Sequence, residues 1–429
     1  LAANAAAGSE TGTWTNVSGT GVATTANDPT SGVTGLTIGA TTVLKWTITS
    51  GFGGCPLSDG DVTINVDPTT TIADAGPVQN LCNTTTATLA ANAAAGSETG
   101  TWTNVSGTGV ATTANDPTSG VTGLTIGATT VLKWTITSGF GGCPLSDDDV
   151  TINVDPTTTI ADAGPVQNLC NTTTATLAAN AAAGSETGTW TNVSGTGVAT
   201  TANDPTSGVT GLTIGATTVL KWTITSGFGG CPLSEDDVTI NVDPATTAAD
   251  AGPVQNLCNT TTTTLAANAA AGSETGTWTT VSGTGVATSV NDPVSGVTGL
   301  TIGGTTVLKW TITAGFSGCP LSEDDVTINV DPTTTIADAG PVQNLCNTTT
   351  ATLAANAAAG SETGTWTNVS GTGVATTAND PTSGVTGLTI GATTVLKWTI
   401  TSGFGGCPLS DDDVTINVDP TTTIADAGP

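Results

Sequence analysis

The sequence predicts an all-β protein, organised as a tandem array of β-sandwich domains with an 88-residue repeat. The stretch VLKWTITSGFGGC at positions 43–55 returns four more times with few changes, each time 88 residues after the last. Its first half alternates apolar and polar residues, which is the period of a half-buried strand. A chain of 429 residues is too long for one core, and 88 residues is close to the size of one sandwich domain.

Short apolar runs separated by turn residues predict six strands within a repeat. In the second repeat we expect them at 87–91, 100–105, 109–113, 121–126, 130–137 and 149–154. Leu44, Trp46 and Ile48 alternate along the strand of the first repeat, so they share one face, and we expect that face to be buried. Trp102 and Trp134 are expected to be core aromatics, one from each sheet, packed beside a disulfide.

An Asp-Pro pair ends each repeat, since proline cannot continue a central strand. The predicted boundaries lie near Asp67, Asp155, Asp243, Asp331 and Asp419. The predicted domains are 1–67 (lacking its first strand), 68–155, 156–243, 244–331 and 332–419, with the start of a further repeat at 420–429. The sequence begins and ends inside a repeat, so we expect further copies of the repeat, either in a longer chain or in subunits joined head to tail.

The charge is strongly negative, with 34 acidic residues against 5 basic ones and a net charge of −29. Nothing is available to neutralise phosphates, so we expect no nucleic-acid partner. No apolar run approaches the roughly 18 residues of a membrane-spanning helix, so we expect no membrane insertion. Five near-identical copies suit a spacer better than a catalytic domain, so the sequence predicts that the protein is not an enzyme.

The nine cysteines alternate along the chain between a shorter and a longer spacing, which in an extracellular β-protein predicts disulfides. The predicted boundaries favour pairs at the longer spacing, one within each domain, with Cys55 left alone. The predicted pairs are Cys82–Cys143, Cys170–Cys231, Cys258–Cys319 and Cys346–Cys407. The alternative joins cysteines at the shorter spacing, such as Cys55–Cys82, across a boundary. A third interpretation is that the thiols are free and buried.

Acidic residues cluster at the end of each repeat and around each boundary. Carboxylates and turn carbonyls are the ligands that calcium prefers, so we expect calcium at these joins. The candidate ligands are Asp67, Asp74, Asp155, Asp162, Asp243, Asp250, Asp331 and Asp338. No DxDxDG loop is present, and the alternative is that these acids are solvated turn residues that provide solubility.

The run IADAGPVQNLC at 160–170, followed by GTWTNVSGTG, VLKWTIT, a Cys-Pro and DDVTINVD, resembles the PKD-like and Ig-like repeats of very large Bacteroidetes surface proteins, including gliding-associated adhesins. The resemblance extends over every repeat. It implies Ig-like/PKD-like β-sandwiches placed outside the cell or on its surface, in stalks, adhesins or filaments. It also implies occasional calcium binding near the domain start, at Asp162 and its equivalents.

Two functions remain open from the sequence. The first is a structural protein that forms a semi-rigid extracellular filament or adhesin stalk, closed by disulfides and stiffened by calcium. The second is a multivalent adhesin in which each repeat binds a carbohydrate or a cell-surface ligand, so that repetition supplies avidity.

Overall fold

The computed structural model describes residues 1–426, and residues 427–429 lie outside the described part. The predicted further repeat at 420–429 therefore falls partly outside it, and no strand is assigned to its described portion, 420–426. Within the described residues the chain is all-β, without a helix, and forms five consecutive sandwiches. The predicted fold class is confirmed.

The strands recur with nearly constant bounds from one sandwich to the next. The first sandwich contains β1 (Thr11–Ser18), β2 (Val22–Ala23), β3 (Val33–Thr34), β4 (Thr41–Thr49) and β5 (Ser58–Asn65). The second contains β6 (Gln79–Cys82), β7 (Thr86–Thr88), β8 (Thr99–Ser106), β9 (Val110–Ala111), β10 (Gly120–Thr122), β11 (Ala128–Thr137) and β12 (Ser146–Asp155). The third contains β13 (Gln167–Cys170), β14 (Thr174–Thr176), β15 (Thr187–Ser194), β16 (Val198–Ala199), β17 (Gly208–Thr210), β18 (Thr217–Thr225) and β19 (Ser234–Asp243). The fourth contains β20 (Gln255–Cys258), β21 (Thr263–Thr264), β22 (Thr275–Ser282), β23 (Val286–Ala287), β24 (Gly296–Thr298), β25 (Thr305–Thr313) and β26 (Ser322–Asp331). The fifth contains β27 (Gln343–Cys346), β28 (Ala351–Thr352), β29 (Thr363–Ser370), β30 (Val374–Ala375), β31 (Gly384–Thr386), β32 (Thr393–Thr401) and β33 (Ser410–Asp419).

Each complete sandwich pairs a four-stranded sheet with a three-stranded one. In the second sandwich the larger sheet has the order β6-β12-β11-β8 and the smaller one β7-β10-β9. All neighbours are antiparallel except β6, which runs parallel to the end of β12 with Cys82 opposite Asp155. Strand β6 and its equivalents were not predicted from the sequence, because QNLC is short and does not alternate. This register places Cys82 at the end of the sandwich where the chain leaves it.

The core lies between the two sheets and is filled by the alternating residues of the long strands. Leu132, Trp134 and Ile136 of β11 are all buried, as predicted from the same alternation in the first repeat. The two tryptophans, however, come from one sheet and not from two. Trp102 of β8 lies opposite Trp134 of β11, with ring centroids 5.0 Å apart and the rings tilted by 42°. The disulfides of residues 1–426 join different sandwiches at their ends, so they do not pack beside this pair.

The strand that contains the acidic run begins earlier than predicted. Asp147, Asp148 and Asp149 lie within β12, because the strand begins at Ser146. Their side chains alternate between two partners across the sheet. Asp147 and Asp149 pair with Lys133 of β11, whereas Asp148 accepts a hydrogen bond from the Ala75 backbone amide. The run therefore connects the opening segment of the sandwich, residues 68–78, to its last strand.

The first sandwich has no counterpart of the opening segment, of β6 or of β7. Its two sheets are β1-β4-β5 and β2-β3, and its buried core consists of Trp14, Leu44 and Trp46. A cavity of about 340 Å³ borders Trp14 and Trp46 along β5. In the second sandwich the corresponding edge of β12 is covered by residues 73–76 and by β6.

Candidate functional site

The most distinctive site is the contact between consecutive sandwiches, which we call the joint. In the joint between the second and third sandwiches, Asp155 at the end of β12 is completely buried. Its carboxylate accepts hydrogen bonds from two backbone amides of the third sandwich, Phe228 N at 3.0 Å and Gly230 N at 2.8 Å. A buried carboxylate is costly unless it is well paired, and N–H donors to a charged oxygen form strong hydrogen bonds. Asp155 therefore anchors the entry loop of the next sandwich.

The entry loop, residues 227–231, approaches the preceding sandwich too closely to carry a side chain at one position. A Cβ at Gly230 would lie 2.4 Å from the carbonyl oxygen of Leu81 in the preceding sandwich. Its neighbour Gly229 has a φ of +75°, a conformation that favours glycine. The Gly-Gly pair before the cysteine thus allows the two backbones to touch.

A disulfide closes the same joint. Cys82 at the end of β6 bonds to Cys231 of the entry loop, with 4.5 Å between their Cα atoms. The Cys231 sulfur also lies 3.0 Å from the Pro156 carbonyl oxygen, at the point where the chain crosses between sandwiches. The joint is thus held by a carboxylate, a glycine contact and a covalent bond.

This connectivity corrects the predicted pairing. Cysteines at the longer spacing do not pair, because they lie at opposite ends of one sandwich. Cys82 lies beside Asp155, where the chain leaves the second sandwich, whereas Cys143 contacts the Pro68 carbonyl oxygen, where the chain enters it. The predicted pairs that are wrong are Cys82–Cys143, Cys170–Cys231, Cys258–Cys319 and Cys346–Cys407.

The alternative pairing, at the shorter spacing, is also wrong, although it did place disulfides between domains. The observed pairs are 149 residues apart: Cys82–Cys231, Cys170–Cys319 and Cys258–Cys407. Over residues 1–426 the remaining thiols, Cys55, Cys143 and Cys346, are free. No cysteine stands 149 positions away from any of these three in the sequence.

The joint repeats with the same contacts. The Asp243 carboxylate accepts hydrogen bonds from Phe316 N at 3.0 Å and from Gly318 N at 2.8 Å. Its counterpart one repeat later, Asp331, accepts Phe404 N and Gly406 N at the same two distances. The three joints with a disulfide are thus copies of one arrangement.

The joint between the first and second sandwiches retains the carboxylate without a disulfide. Asp67 is half-buried and accepts Phe140 N at 2.9 Å and Gly142 N at 2.7 Å. Burial raises the pKa of this carboxyl, but the hydrogen bonds from Gly142 and Phe140 outweigh it and lower the pKa below its usual value. The charged form is therefore the one that holds the loop.

The segment that follows each Asp-Pro pair is part of the sandwich that comes next in the sequence. In the third sandwich, Thr158 donates its hydroxyl to the Pro232 carbonyl at 2.8 Å, and Thr159 N donates to Glu186 at 2.8 Å. Burial raises the pKa of Glu186, but the hydrogen bonds from Thr159 and Ala183 outweigh it and leave the pKa below its usual value. The crossing segment is therefore held to the third sandwich by hydrogen bonds to both Pro232 and Glu186.

The predicted calcium ligands fall into two groups with different partners. Asp67, Asp155, Asp243 and Asp331 direct both carboxylate oxygens at backbone N–H groups. The N–H hydrogens carry partial positive charge and disfavour a cation at these oxygens, and calcium binding by these four acids stays a prediction. The other group, represented by Asp162, accepts one hydrogen bond from Gly164 N, two residues ahead, and its equivalents are Asp74, Asp250 and Asp338.

Among residues 1–426, no group of three or more His, Cys, Asp or Glu side chains is arranged to hold a metal ion. The structure therefore does not bring Asp155 and Asp162 into a common metal cluster. Calcium binding by Asp74, Asp162, Asp250 and Asp338 stays a prediction.

A second recurring feature is a shallow pocket beside the buried tryptophan of β11 and of its equivalents β18, β25 and β32. In the second sandwich it measures about 420 Å³ and is bordered by Glu98, Asn115, Pro117 and Trp134. Similar pockets occur in the next three sandwiches. The Trp134 side chain is only 1% exposed, so it offers no open ring face for stacking on a sugar.

No protein-family model matches the chain, and no curated protein matches it. Solved structures of tandem Ig domains are found at low similarity to this chain. A three-domain fragment of titin, I67–I69 in a mutated variant, is 8% identical with a TM-score of 0.36, covering 62% of this chain and 99% of its own. Immunoglobulin domains 1–5 of Sidekick-1 are 10% identical with a TM-score of 0.31, covering 96% of this chain and 93% of theirs. The eight N-terminal Ig domains of Down Syndrome Cell Adhesion Molecule are 10% identical with a TM-score of 0.37, covering 95% of this chain and 56% of theirs.

No helix long and apolar enough to cross a bilayer is found in the part of the chain that the structure describes.

Proposed function

We propose that the chain is a structural extracellular repeat protein that forms a semi-rigid filament or adhesin stalk at a cell surface. The joint is the observation that carries this proposal. A passive string of independent domains needs only a linker, whereas here three crossings combine a buried carboxylate, a backbone contact and a disulfide, and the first crossing retains the half-buried carboxylate of Asp67. Disulfides persist in oxidising compartments, which supports a location outside the cell. The gliding-associated adhesin type remains a prediction from the resemblance.

Small-angle X-ray scattering of the full chain tests this function. Strands of about ten residues span roughly 33 Å, so five sandwiches in a row should give a maximum dimension of about 170 Å. We expect one stiff, elongated particle in the oxidised chain. A broad distribution of dimensions, typical of domains tumbling on free linkers, would contradict the proposal.

A glycine variant makes the test specific to the joint. Gly230→Ala places a Cβ against the Leu81 carbonyl, so we expect the third sandwich to tilt away from the second and the scattering profile to change. Gly54, at the equivalent position of the first sandwich, has no atom within 4 Å of an added Cβ. Gly54→Ala is therefore the matched control and should leave the profile unchanged.

The same measurement decides whether calcium stiffens the array. We expect equal dimensions in chelator and in millimolar calcium, since the Asp155 carboxylate already accepts backbone amides. An increase in length with calcium, but not with magnesium, would instead support ligation by Asp162 and its equivalents.

The second candidate function, a multivalent carbohydrate- or surface-binding adhesin, is favoured by the pocket that recurs at the same place in four sandwiches. A glycan array probed with the full chain tests it. Binding that disappears when Asn115 and its equivalents are replaced by leucine would support this function, and absence of binding across the array leaves the structural one.

A further inference from the structure

We propose that the disulfides form an interlocked covalent ladder that limits how far the array can be stretched and that holds a cut chain together. This inference deepens the proposed structural function and rests on it. It follows from the order in which the cysteines are connected along the chain and from where the bridges lie in the fold.

The bridges overlap. Each one closes a loop of 149 residues, and the next begins 88 residues later. Cys170 therefore lies inside the loop closed by Cys82–Cys231, and Cys258 lies inside the loop closed by Cys170–Cys319. Disulfides within single domains, as predicted from the sequence, would give separate loops in a row. The observed pairs link every loop to its neighbour.

Overlap creates a short covalent route along the chain. The route follows the backbone to Cys82, crosses to Cys231, follows the backbone again as far as Cys258 and crosses to Cys407. Residues 83–230 and 259–406 are not on this route. Tension applied at the two ends therefore cannot pull those segments out straight, even if the sandwiches that contain them unfold.

The route has little slack in the folded protein. Cys231 lies at the entrance of the third sandwich, and Cys258 lies at the exit of the fourth. The stretch between them runs along β19, crosses the joint and then follows β26 in parallel as β20, so much of it is already extended. When fully extended, this stretch reaches about 95 Å. Two sandwiches with strands of about ten residues already span roughly 70 Å.

The bridges make the maximum length of the chain much shorter than that of a chain without bridges. Two repeats contain 176 residues, which reach about 600 Å when extended, against about 100 Å along the ladder. Unfolding under tension therefore lengthens the oxidised array between Cys82 and Cys407 by less than one half, whereas the same part of the reduced array stretches many-fold. A filament with this property keeps its length when individual sandwiches open.

Single-molecule force spectroscopy on the full chain, held through tags at both ends, tests the ladder. We expect a final contour length of about 450 Å in the oxidised protein and about 1,480 Å in dithiothreitol. Disulfides within domains would give about 640 Å without reductant, and that length would overturn the proposal.

Two double variants provide a matched comparison. Removing the first bridge, with Cys82→Ser and Cys231→Ser, forces the route through the middle bridge and should add about 420 Å. Removing the middle bridge, with Cys170→Ser and Cys319→Ser, leaves the shortest route intact and should add nothing. Equal lengthening in both variants would overturn the interlocked arrangement.

Limited proteolysis gives an independent readout. Every peptide bond between Cys82 and Cys407 lies inside at least one loop, so a single cut there should release no fragment until dithiothreitol is added. Fragments that separate on a non-reducing gel would contradict the ladder. A flexible particle in scattering together with a contour of about 450 Å would refute the stalk and leave the ladder standing.

Discussion

Replacing Asp155 with alanine should loosen the entry loop of the third sandwich. Its carboxylate is the acceptor for Phe228 N and Gly230 N, and it is completely buried, so no water can take its place without opening the joint. Hydrogen bonds to a charged group contribute about 1.5–3 kcal/mol each, and a buried donor left without an acceptor costs a similar amount. Each of the two amides should therefore lose about 1.5–3 kcal/mol of protection.

Hydrogen exchange measured by mass spectrometry can follow these amides directly. A loss of about 1.5–3 kcal/mol corresponds to exchange roughly 10- to 100-fold faster, because about 1.4 kcal/mol is a factor of ten. A peptide covering 227–235 is unique to the third sandwich, since Glu235 and the Gly-Gly pair do not occur together in the other repeats. The disulfide keeps the joint together in the variant, so the measured change reports the carboxylate.

Asp419 provides the matched control. It occupies the same position at the end of the fifth sandwich, and its side chain is exposed. Asp419→Ala should leave exchange in the 227–235 peptide at the wild-type rate. If Asp155→Ala also exchanges at that rate, the carboxylate does not hold the entry loop.

Three further predictions concern single sandwiches. Glu186 has a lowered pKa, so the stability it contributes by holding Thr159 is complete above its unfolded value of about 4.5 and is lost as the pH falls through its lower folded value; thermal midpoints from neutral pH to about pH 3 should show this loss. Ser317→Gly should stabilise the fourth sandwich by about 0.5–1 kcal/mol in denaturant unfolding, because Ser317 has a φ of +60°, where only glycine is free of strain. Gly188→Ala should destabilise the third sandwich by about 3 kcal/mol, since the added Cβ would lie 2.1 Å from the Trp222 ring.

Each of these has its own check. Glu186→Gln removes the charge, and its pH dependence should be weaker than that of the wild type. An unchanged unfolding midpoint in Ser317→Gly would show that the loop carries no strain. For the core glycine, Gly60→Ala is the control, because Gly60 also lies in a strand but has open space around its Cβ position. Equal stability of the two alanine variants would contradict the packing argument.

The fold class could be predicted because its signals are local. Alternation at Leu132, Trp134 and Ile136 indicates an inward face within one strand, and the 88-residue period is visible from the sequence alone. The sheet to which each strand belongs is not local. Trp102 and Trp134 were predicted to lie in opposite sheets, whereas strand pairing places them side by side.

The joint was only partly predictable. Its position at Asp155 follows from the Asp-Pro pair, but a carboxylate beside a boundary suits a cation as well as a backbone amide, and amides have no sequence signal of their own. The disulfide partners depend on which end of the sandwich each cysteine occupies. That depends on β6 running parallel to β12, a pairing between the two ends of the repeat that no short-range pattern indicates.

The repetition of one joint has a geometric consequence. Asp155, Asp243 and Asp331 make the same two hydrogen bonds at the same distances, so from the second sandwich to the fifth each sandwich is related to the next by nearly the same rotation and translation. A single operation applied repeatedly generates a helix, as in open assemblies built from heterologous contacts. A substitution shared by every repeat would therefore change the pitch of the whole array, whereas a substitution in one repeat would introduce a single bend.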